Sequence, residues 1–538
     1  MWTAPRFERL DALKENGEDV VAKGTTESGT SDSRYGDIIK STSLIGASSI
    51  VNVAMSVIRL KVLAVYLGPS GIALFGIYNV LLDLTSSMVG FGVQSSGVRQ
   101  VAVSVSSDDK AKVARIERVL SLTSWILGAL GAGVLIAFAR PLSTLSFGNE
   151  ARASGVALLG FALMLRIVAG APSALIQGHR RIGDLARMTV LGAVLNTVAA
   201  IPLVYFLGED GIVPSLIAVA LTSWIAAHWY ARKIALPRIR LSWSDFTAET
   251  RLLLQLGFAF MASGLLTAGS AFVIRVFIVQ LNGVEAAGNY QAAWALGGIY
   301  VGFILQSMGT DFYPRLSAVS NDDEACNRMV NEQSRVSILL AGPGLLATLA
   351  LSPLVMAVFY STQFADAVPL LRWFCLGMLL RVVAWPMGFV VLAKGKQKIF
   401  FWTEVAAAVL QVGLTWVLLR TVGLAGAGIA FVALYAWHGL LMYYLVRRIS
   451  GFRMTQEYLL LMGLFVGLTG LVLLAVELLP FWPGLVVALI GTAIGSWFSL
   501  AQLVRLVPQQ WIPNQLRPII RAVLRHEPIL SAPAADRA

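Results

Sequence analysis

Two arginines far apart in the chain sit inside runs that are otherwise apolar enough to lie in a membrane. Arg166 falls in GFALMLRIVAGAP at 160–172, and Arg381 in CLGMLLRVVAWP at 375–386. An arginine at bilayer depth costs at least about 2.5–3.5 kcal/mol on insertion scales, so a chain that keeps one has a use for it. Its planar guanidinium offers paired hydrogen bonds that match phosphate and carboxylate oxygens. Further cations pair off at nearly the same separation, Arg59 with Arg275 and Arg99 with Arg315. Arg372 lies about a turn and a half into its own run. Facing one common space, these side chains would make a positive funnel suited to a large anion such as a diphosphate. The alternatives are snorkelling or bonds to loop carbonyls for Arg59, Lys61, Arg99 and Arg315. For Arg166 and Arg381 the alternative is a structural contact across one lobe.

Acids are scarce at the same depth. Asp83 is the acid that lies deep in a span of the first half, placed to pair with Arg166 or Arg59 or to take up a proton during transport. Glu404, beside the basic turn Lys394–Lys398, reads as an interfacial ion pair. His228 and His438 do not align with each other and read as packed aromatics. Cys326 and Cys375 form no metal or disulfide pattern.

The elements that must hold these residues follow from composition. The 538 residues are 57% hydrophobic and 13% charged, with a mean hydropathy of +0.72. That composition describes an all-α polytopic membrane protein. About fourteen apolar runs have the roughly 20 residues that a 30 Å hydrocarbon core requires. They lie near 41–65, 71–95, 118–139, 154–176, 187–207 and 211–231, then 251–280, 285–309, 335–358, 367–393, 400–420 and 424–446, with a last pair at 457–478 and 482–504. The formal net charge of +12 resides in alternate connections, such as Arg180, Arg181 and Arg187, or Lys394, Lys396 and Lys398. The intervening connections carry little, apart from Arg140 and Arg152. Both termini are therefore expected on the cytoplasmic side, and the charge requires no nucleic-acid partner.

The second six runs repeat the first. Val194-Leu195-Asn196 matches Val409-Leu410-Gln411, Gly208 and Gly211 match Gly423 and Gly426, and Arg232-Lys233 matches Arg447-Arg448, each at the separation of Arg166 from Arg381. Six is even, so both copies cross in the same sense, which predicts two parallel six-helix lobes around a central cavity. The expected organisation is a disordered cytoplasmic tail at 1–38, an N-lobe at 39–232, an interfacial linker at 233–250, a C-lobe at 251–448, a C-terminal helix pair at 449–505 and a cytoplasmic tail at 506–538. In that last tail Arg517, Arg521 and Arg525 suit either a surface-lying amphipathic helix on anionic lipid or a solvated segment. The first apolar run begins near Ser41 and is too long for a cleaved signal peptide.

The run RLKVLAVYLGPSGIALFGIYN at 59–79 resembles the first hairpin of the O-antigen and lipid-linked oligosaccharide translocases. These form the polysaccharide transporter branch of the multidrug/oligosaccharidyl-lipid/polysaccharide exporter superfamily. FYPRLSAVS at 312–320 and AKGKQK at 393–398 carry the same resemblance. It implies a flippase in the bacterial cytoplasmic (inner) membrane that moves an undecaprenyl-diphosphate-linked glycan to the periplasmic leaflet, coupled to an ion gradient. The partners so implied are that glycan lipid, membrane lipids and polysaccharide polymerase or assembly proteins. The resemblance also places cations in the cavity, for which Arg59, Arg166, Arg275 and Arg381 are the matching residues. A multidrug antiporter of the same superfamily would need carboxylates for organic cations, and here arginines outnumber buried acids. An enzyme of glycan assembly would need acidic motifs in a large outer loop. No Walker A loop, HExxH or cysteine cluster is present, so no cofactor and no enzymatic activity are expected.

Overall fold

A computed structural model of the chain describes residues 31–106, 109–237 and 239–506. All regular structure among the described residues is helical. We number the helices α1 Ser31–Val89, α2 Val93–Ser106, α3 Lys110–Ala137, α4 Ala139–Phe147, α5 Ala153–Gly178, α6 Ile182–Leu207 and α7 Ile212–Ala231 in the first half. The second half holds α8 Trp243–Asn282, α9 Val284–Ser307, α10 Tyr313–Ala318, α11 Asp323–Ala350, α12 Ser352–Phe359, α13 Ala367–Ala393, α14 Gln397–Val422 and α15 Ala425–Ser450. The chain closes with α16 Gln456–Leu478 and α17 Phe481–Leu506.

By length and composition, ten helices among the described residues can cross a membrane, or eleven if α11 and α12, bent 85° apart, form one broken span. The fourteen runs expected from hydropathy exceed that number for two physical reasons. First, the ten include two long stretches, Gly46–Val89 and Ile182–Ala231. The first is interrupted at Gly68, whose φ of 63° and ψ of −166° break the helix just ahead of Pro69. The second runs through the 3-10 turn Gly208–Gly211. Second, α9 is not among the ten, because Glu285, Asn289, Tyr290 and Gln291 dilute its opening turns.

Residues with a left-handed backbone recur at a fixed separation. Gly68 and Gly283, Arg180 and Gly395, and Gly208 and Gly423 all have positive φ, and each pair is spaced as Arg166 is from Arg381. Gly395 takes φ 70° freely, whereas Arg180 takes φ 52° with a Cβ present, at a cost on the order of 1 kcal/mol. A turn that must be left-handed in both halves explains why the unfavourable residue stays there. Helix packing recurs too. In the first half α3 packs on α5, α5 on α7, α7 on α6 and α6 on α1; in the second, α11 packs on α13, α13 on α15, α15 on α14 and α14 on α8. The C-terminal helices α16 and α17 pack on each other and on α11, outside both sets.

The halves meet along α1, which packs against both α8 and α9. Small residues permit that approach. A Cβ on Gly288 would collide with the Pro69 carbonyl oxygen, and one on Gly257 would collide with that of Phe91. Backbone contact this close is how helices gain packing energy where lipid supplies no hydrophobic drive.

Two expected boundaries shift. The stretch expected as a linker at 233–250 becomes helical from Trp243, so α8 is one helix of 40 residues. Its first turns dock on α3, with Arg115 to Asp245 at 3.4 Å and Thr123 to Thr250 at 3.2 Å. Phe246 and Leu253 share an apolar cluster with Val119 and Leu120. The N-terminal tail expected to reach residue 38 is already helical at Ser31. Residues 1–30 and the C-terminal segment with Arg517, Arg521 and Arg525 lie outside the described residues.

Candidate functional site

The second half contains a cleft of about 300 Å³ whose walls come from α8, α9, α13, α14 and α15. Two of the arginines singled out above, Arg275 and Arg381, both line it. Arg275 is only 5% exposed. Its Nη1 donates to the Ala271 carbonyl at 2.9 Å, while Nε and Nη2 donate to Gln291 Oε1 at 3.2 and 2.7 Å. The guanidinium also lies 5.4 Å from the ring centre of Tyr290. Buried charge needs such satisfaction, since an unpaired guanidinium in a span would be expelled or neutralised at high cost.

Among the described residues Arg381 is held by aromatic faces rather than by hydrogen bonds. Its guanidinium carbon lies 4.9 Å from the Trp385 ring centre and 5.7 Å from that of Tyr435. Residues 381 and 385 are one helical turn apart, so α13 brings the cation and its aromatic platform to one face. Arg381 Nε is buried with no hydrogen-bond partner among the described residues, and the same holds for Trp385 Nε1 and His438 Nδ1. Glu404 lines the same cleft and lies within electrostatic reach of Arg381.

In the first half, Arg166 Nη2 donates to Asp83 Oδ1 at 2.5 Å. The pair joins α5 to the second part of α1, with side chains 47% and 46% exposed. Asp83 also acts electrostatically on Arg275 across the junction of the halves. Arg166 and Arg381, matched in sequence, thus have different surroundings, because the mate of Asp83 in the second half is Gly298. Arg59 is half-buried, and its Nε has no hydrogen-bond partner among the described residues. Lys61 Nζ donates to the carbonyls of Ala357, at 2.8 Å, and Tyr360, tying α1 to the end of α12.

The remaining arginines lie elsewhere. Arg99 is exposed on the short helix α2. Arg315, on α10, pairs at 3.6 Å with Asp311, one turn earlier. Arg372, expected among the cavity cations, is engaged as a clamp instead. Its Nε donates to Ser352 Oγ at 3.0 Å, and Nη1 donates to Glu477 Oε1 at 3.0 Å and to the Val476 carbonyl at 3.3 Å. The guanidinium therefore joins α12 and α13 to α16. Arg152, an exception to the charge alternation, pairs with Glu209 at 2.5 Å on the 3-10 turn.

Sequence reasoning set Glu404 at an interface because the basic turn Lys394–Lys398 lies beside it, and His438 among packed aromatics because it does not align with His228. The cleft brings both beside Arg381. The signal available in the sequence was their helical spacing to polar or aromatic neighbours, Glu404 with Gln411 and His438 with Tyr435, which turns them to one face.

This multi-pass helical bundle shares its fold with solved transporters of the MOP superfamily. It is similar to a multidrug resistance MATE family transporter in an inward-facing conformation, with a TM-score of 0.65 at 17% identity over 75% of this chain and 98% of the other. It is also similar to the Lipid II flippase MurJ in an inward closed conformation, with a TM-score of 0.61 at 13% identity over 86% of this chain and 99% of the other. The chain belongs to the polysaccharide biosynthesis protein family, whose sequence model matches residues 62–369, more than half its length. That match includes most of the 59–79 hairpin and all of the 312–320 motif. Among curated proteins the chain is 22% identical to the Lipid III flippase of Escherichia coli (strain K12), over 72% of this chain and 93% of that protein.

Proposed function

We propose that this protein flips an undecaprenyl-diphosphate-linked oligosaccharide, an O-antigen or exopolysaccharide repeat unit, from the cytoplasmic to the periplasmic leaflet of the bacterial inner membrane. The chain is a transporter and not an enzyme in this reading. Its path is alternating access between two six-span lobes, fourteen spans in all, with both termini cytoplasmic and transport coupled to an ion gradient. The recurrence of left-handed turns and helix pairings at one fixed separation supports the two-lobe arrangement, and the alternation of loop charge supports the orientation.

The observation that carries the reading is that Arg275 and Arg381 share one cleft within the spans. Guanidinium groups at that depth favour an anionic head group, and family membership makes a glycan lipid the natural guest. Arg166 and Arg59 extend the cationic surface toward the first half. A multidrug antiporter is the second reading, favoured only by the likeness of fold to MATE transporters; two arginines in the cleft oppose an organic cation. The test is transfer of a fluorescent lipid-diphosphate oligosaccharide in proteoliposomes. Arg275→Ala and Arg381→Ala should each slow transfer at least about tenfold, the loss of one charge-assisted contact of about 1.5–3 kcal/mol. Native rates in both variants would refute the cationic-cleft reading, and uptake of cationic dyes by the wild type would favour the antiporter.

A further inference from the structure

The cleft around Arg381 is not built for phosphate alone. Phosphate recognition calls for converging donors, yet beside Arg381 the Glu404 carboxylate and Gln411 add acceptors, and the net positive charge that remains in the cleft is that of Arg275. The walls are flat aromatic surfaces: Tyr290 and Trp294 stack at 11° and 6.3 Å, while Trp385 and Tyr435 flank the Arg381 guanidinium. Three side chains that line the cleft carry buried atoms unpartnered among the described residues, Arg381 Nε, Trp385 Nε1 and His438 Nδ1. Buried polar atoms without partners in a native fold call for an explanation, and a polar ligand supplies one.

We infer that this cleft is the subsite for the sugar attached directly to the diphosphate, an inference that rests on the flippase reading. A pyranose presents C–H faces to aromatic rings, whose faces carry negative charge density. Around its rim it presents hydroxyls that both donate and accept. Arg381 Nε and Trp385 Nε1 are donors only, the Glu404 carboxylate is an acceptor, and His438 Nδ1 serves either role according to tautomer. That mixed set fits hydroxyls and fits a bare phosphate poorly. The volume, about 300 Å³, is at the lower end of ligand pockets, roughly 300–1,000 Å³. It admits a sugar ring or two but not a whole repeat unit. Arg275, lining the same cleft and facing the junction of the halves through Gln291 and Asp83, is placed to hold the diphosphate while the first sugar lies against Trp385 and Glu404. Selectivity then concerns the first sugar, and the remaining glycan extends beyond the cleft.

The isosteric Glu404→Gln variant separates sugar from phosphate recognition. Transfer of undecaprenyl diphosphate bearing one sugar is measured beside transfer of undecaprenyl diphosphate without sugar, for the wild type, Glu404→Gln and Trp385→Phe. Each variant should lower the ratio of sugar-bearing to sugar-free rate, Glu404→Gln by about tenfold for one charge-assisted contact and Trp385→Phe, which keeps an aromatic face but loses the Nε1 donor, by about fivefold. Both rates rising together in Glu404→Gln would mean that the carboxylate opposes phosphate, and would overturn the subsite. Both falling together would assign Glu404 a structural role and overturn it equally. A wild type that transfers neither lipid sinks the flippase reading itself, an outcome distinct from either. Should a variant fail to fold, the wild type supplies the second measurement, titration of its tryptophan fluorescence with the free sugar at millimolar concentration. Saturable quenching supports the subsite, and its absence overturns it.

Discussion

Gln291 lies against Gly76, the residue at the same separation from it as Arg166 is from Arg381. A Cβ on Gly76 would come within 2.8 Å of Gln291 Oε1 and 2.9 Å of its Cγ. In the proposed two-lobe arrangement, contact between matched positions is what a pseudo-two-fold axis requires where it passes, as at the centre of a symmetric dimer interface. The same Oε1 accepts from Arg275, so the seam between α1 and α9 and the orientation of a cleft cation depend on one side chain.

This contact can be cross-linked. Cysteines at 76 and 291 would have Cβ atoms within disulfide reach, and both native thiols, Cys326 and Cys375, are buried. If the halves part along this seam during transport, the oxidised Gly76→Cys/Gln291→Cys protein should lose nearly all the transfer shown by the same protein when reduced, whose own rate lies below wild type because Arg275 has lost its Gln291 acceptor. Transfer by the oxidised protein at the reduced protein's rate would show that the seam stays shut throughout the cycle.

Much of the bundle was legible from run length and periodicity, since hydrocarbon thickness dictates how long an apolar helix must be. The expected register of a repeat rested on matched residues such as Gly208 with Gly423 and Arg232-Lys233 with Arg447-Arg448, and positive φ falls at both Gly208 and Gly423. The continuity of α8 through Trp243–Thr250 was hidden, because a polar first segment resembles a linker until docking on α3 stabilises it. At the site, repeat symmetry drew attention to Arg166 and Arg381 but concealed what distinguishes them. Asp83 has Gly298 for a mate and Glu404 has Thr189, so the chemistry around each arginine comes from residues that symmetry arguments discount.

The Arg166–Asp83 pair is close but half exposed. Such pairs contribute about 0–1 kcal/mol after solvent screening and side-chain entropy, so a diphosphate can displace the carboxylate at little cost. Asp83→Asn removes the competitor. It should leave the melting temperature nearly unchanged and tighten binding of inorganic pyrophosphate by up to about fivefold, the factor that about 1 kcal/mol supplies. Calorimetric titration of the purified protein measures it. Identical pyrophosphate affinity in wild type and variant would show that Arg166 does not engage the anion.

Arg372 differs in kind from the cleft arginines, and the difference is measurable. Its side chain is 14% exposed and that of Glu477 is 35%, and the other two acceptors are a buried serine hydroxyl and a main-chain carbonyl. Removing the guanidinium strands Ser352 and half-strands Glu477, at a cost of about 2 kcal/mol once partial exposure is allowed for. Because Arg372 fastens α16 to α12 and α13, that cost falls on the attachment of the C-terminal pair and not on the cleft. Arg372→Met should therefore melt a few degrees lower than wild type, while pyrophosphate affinity and the transfer rate of folded protein at room temperature change less than about twofold. Lost pyrophosphate binding at an unaltered melting temperature would return Arg372 to the cavity cations and remove its role as a clamp.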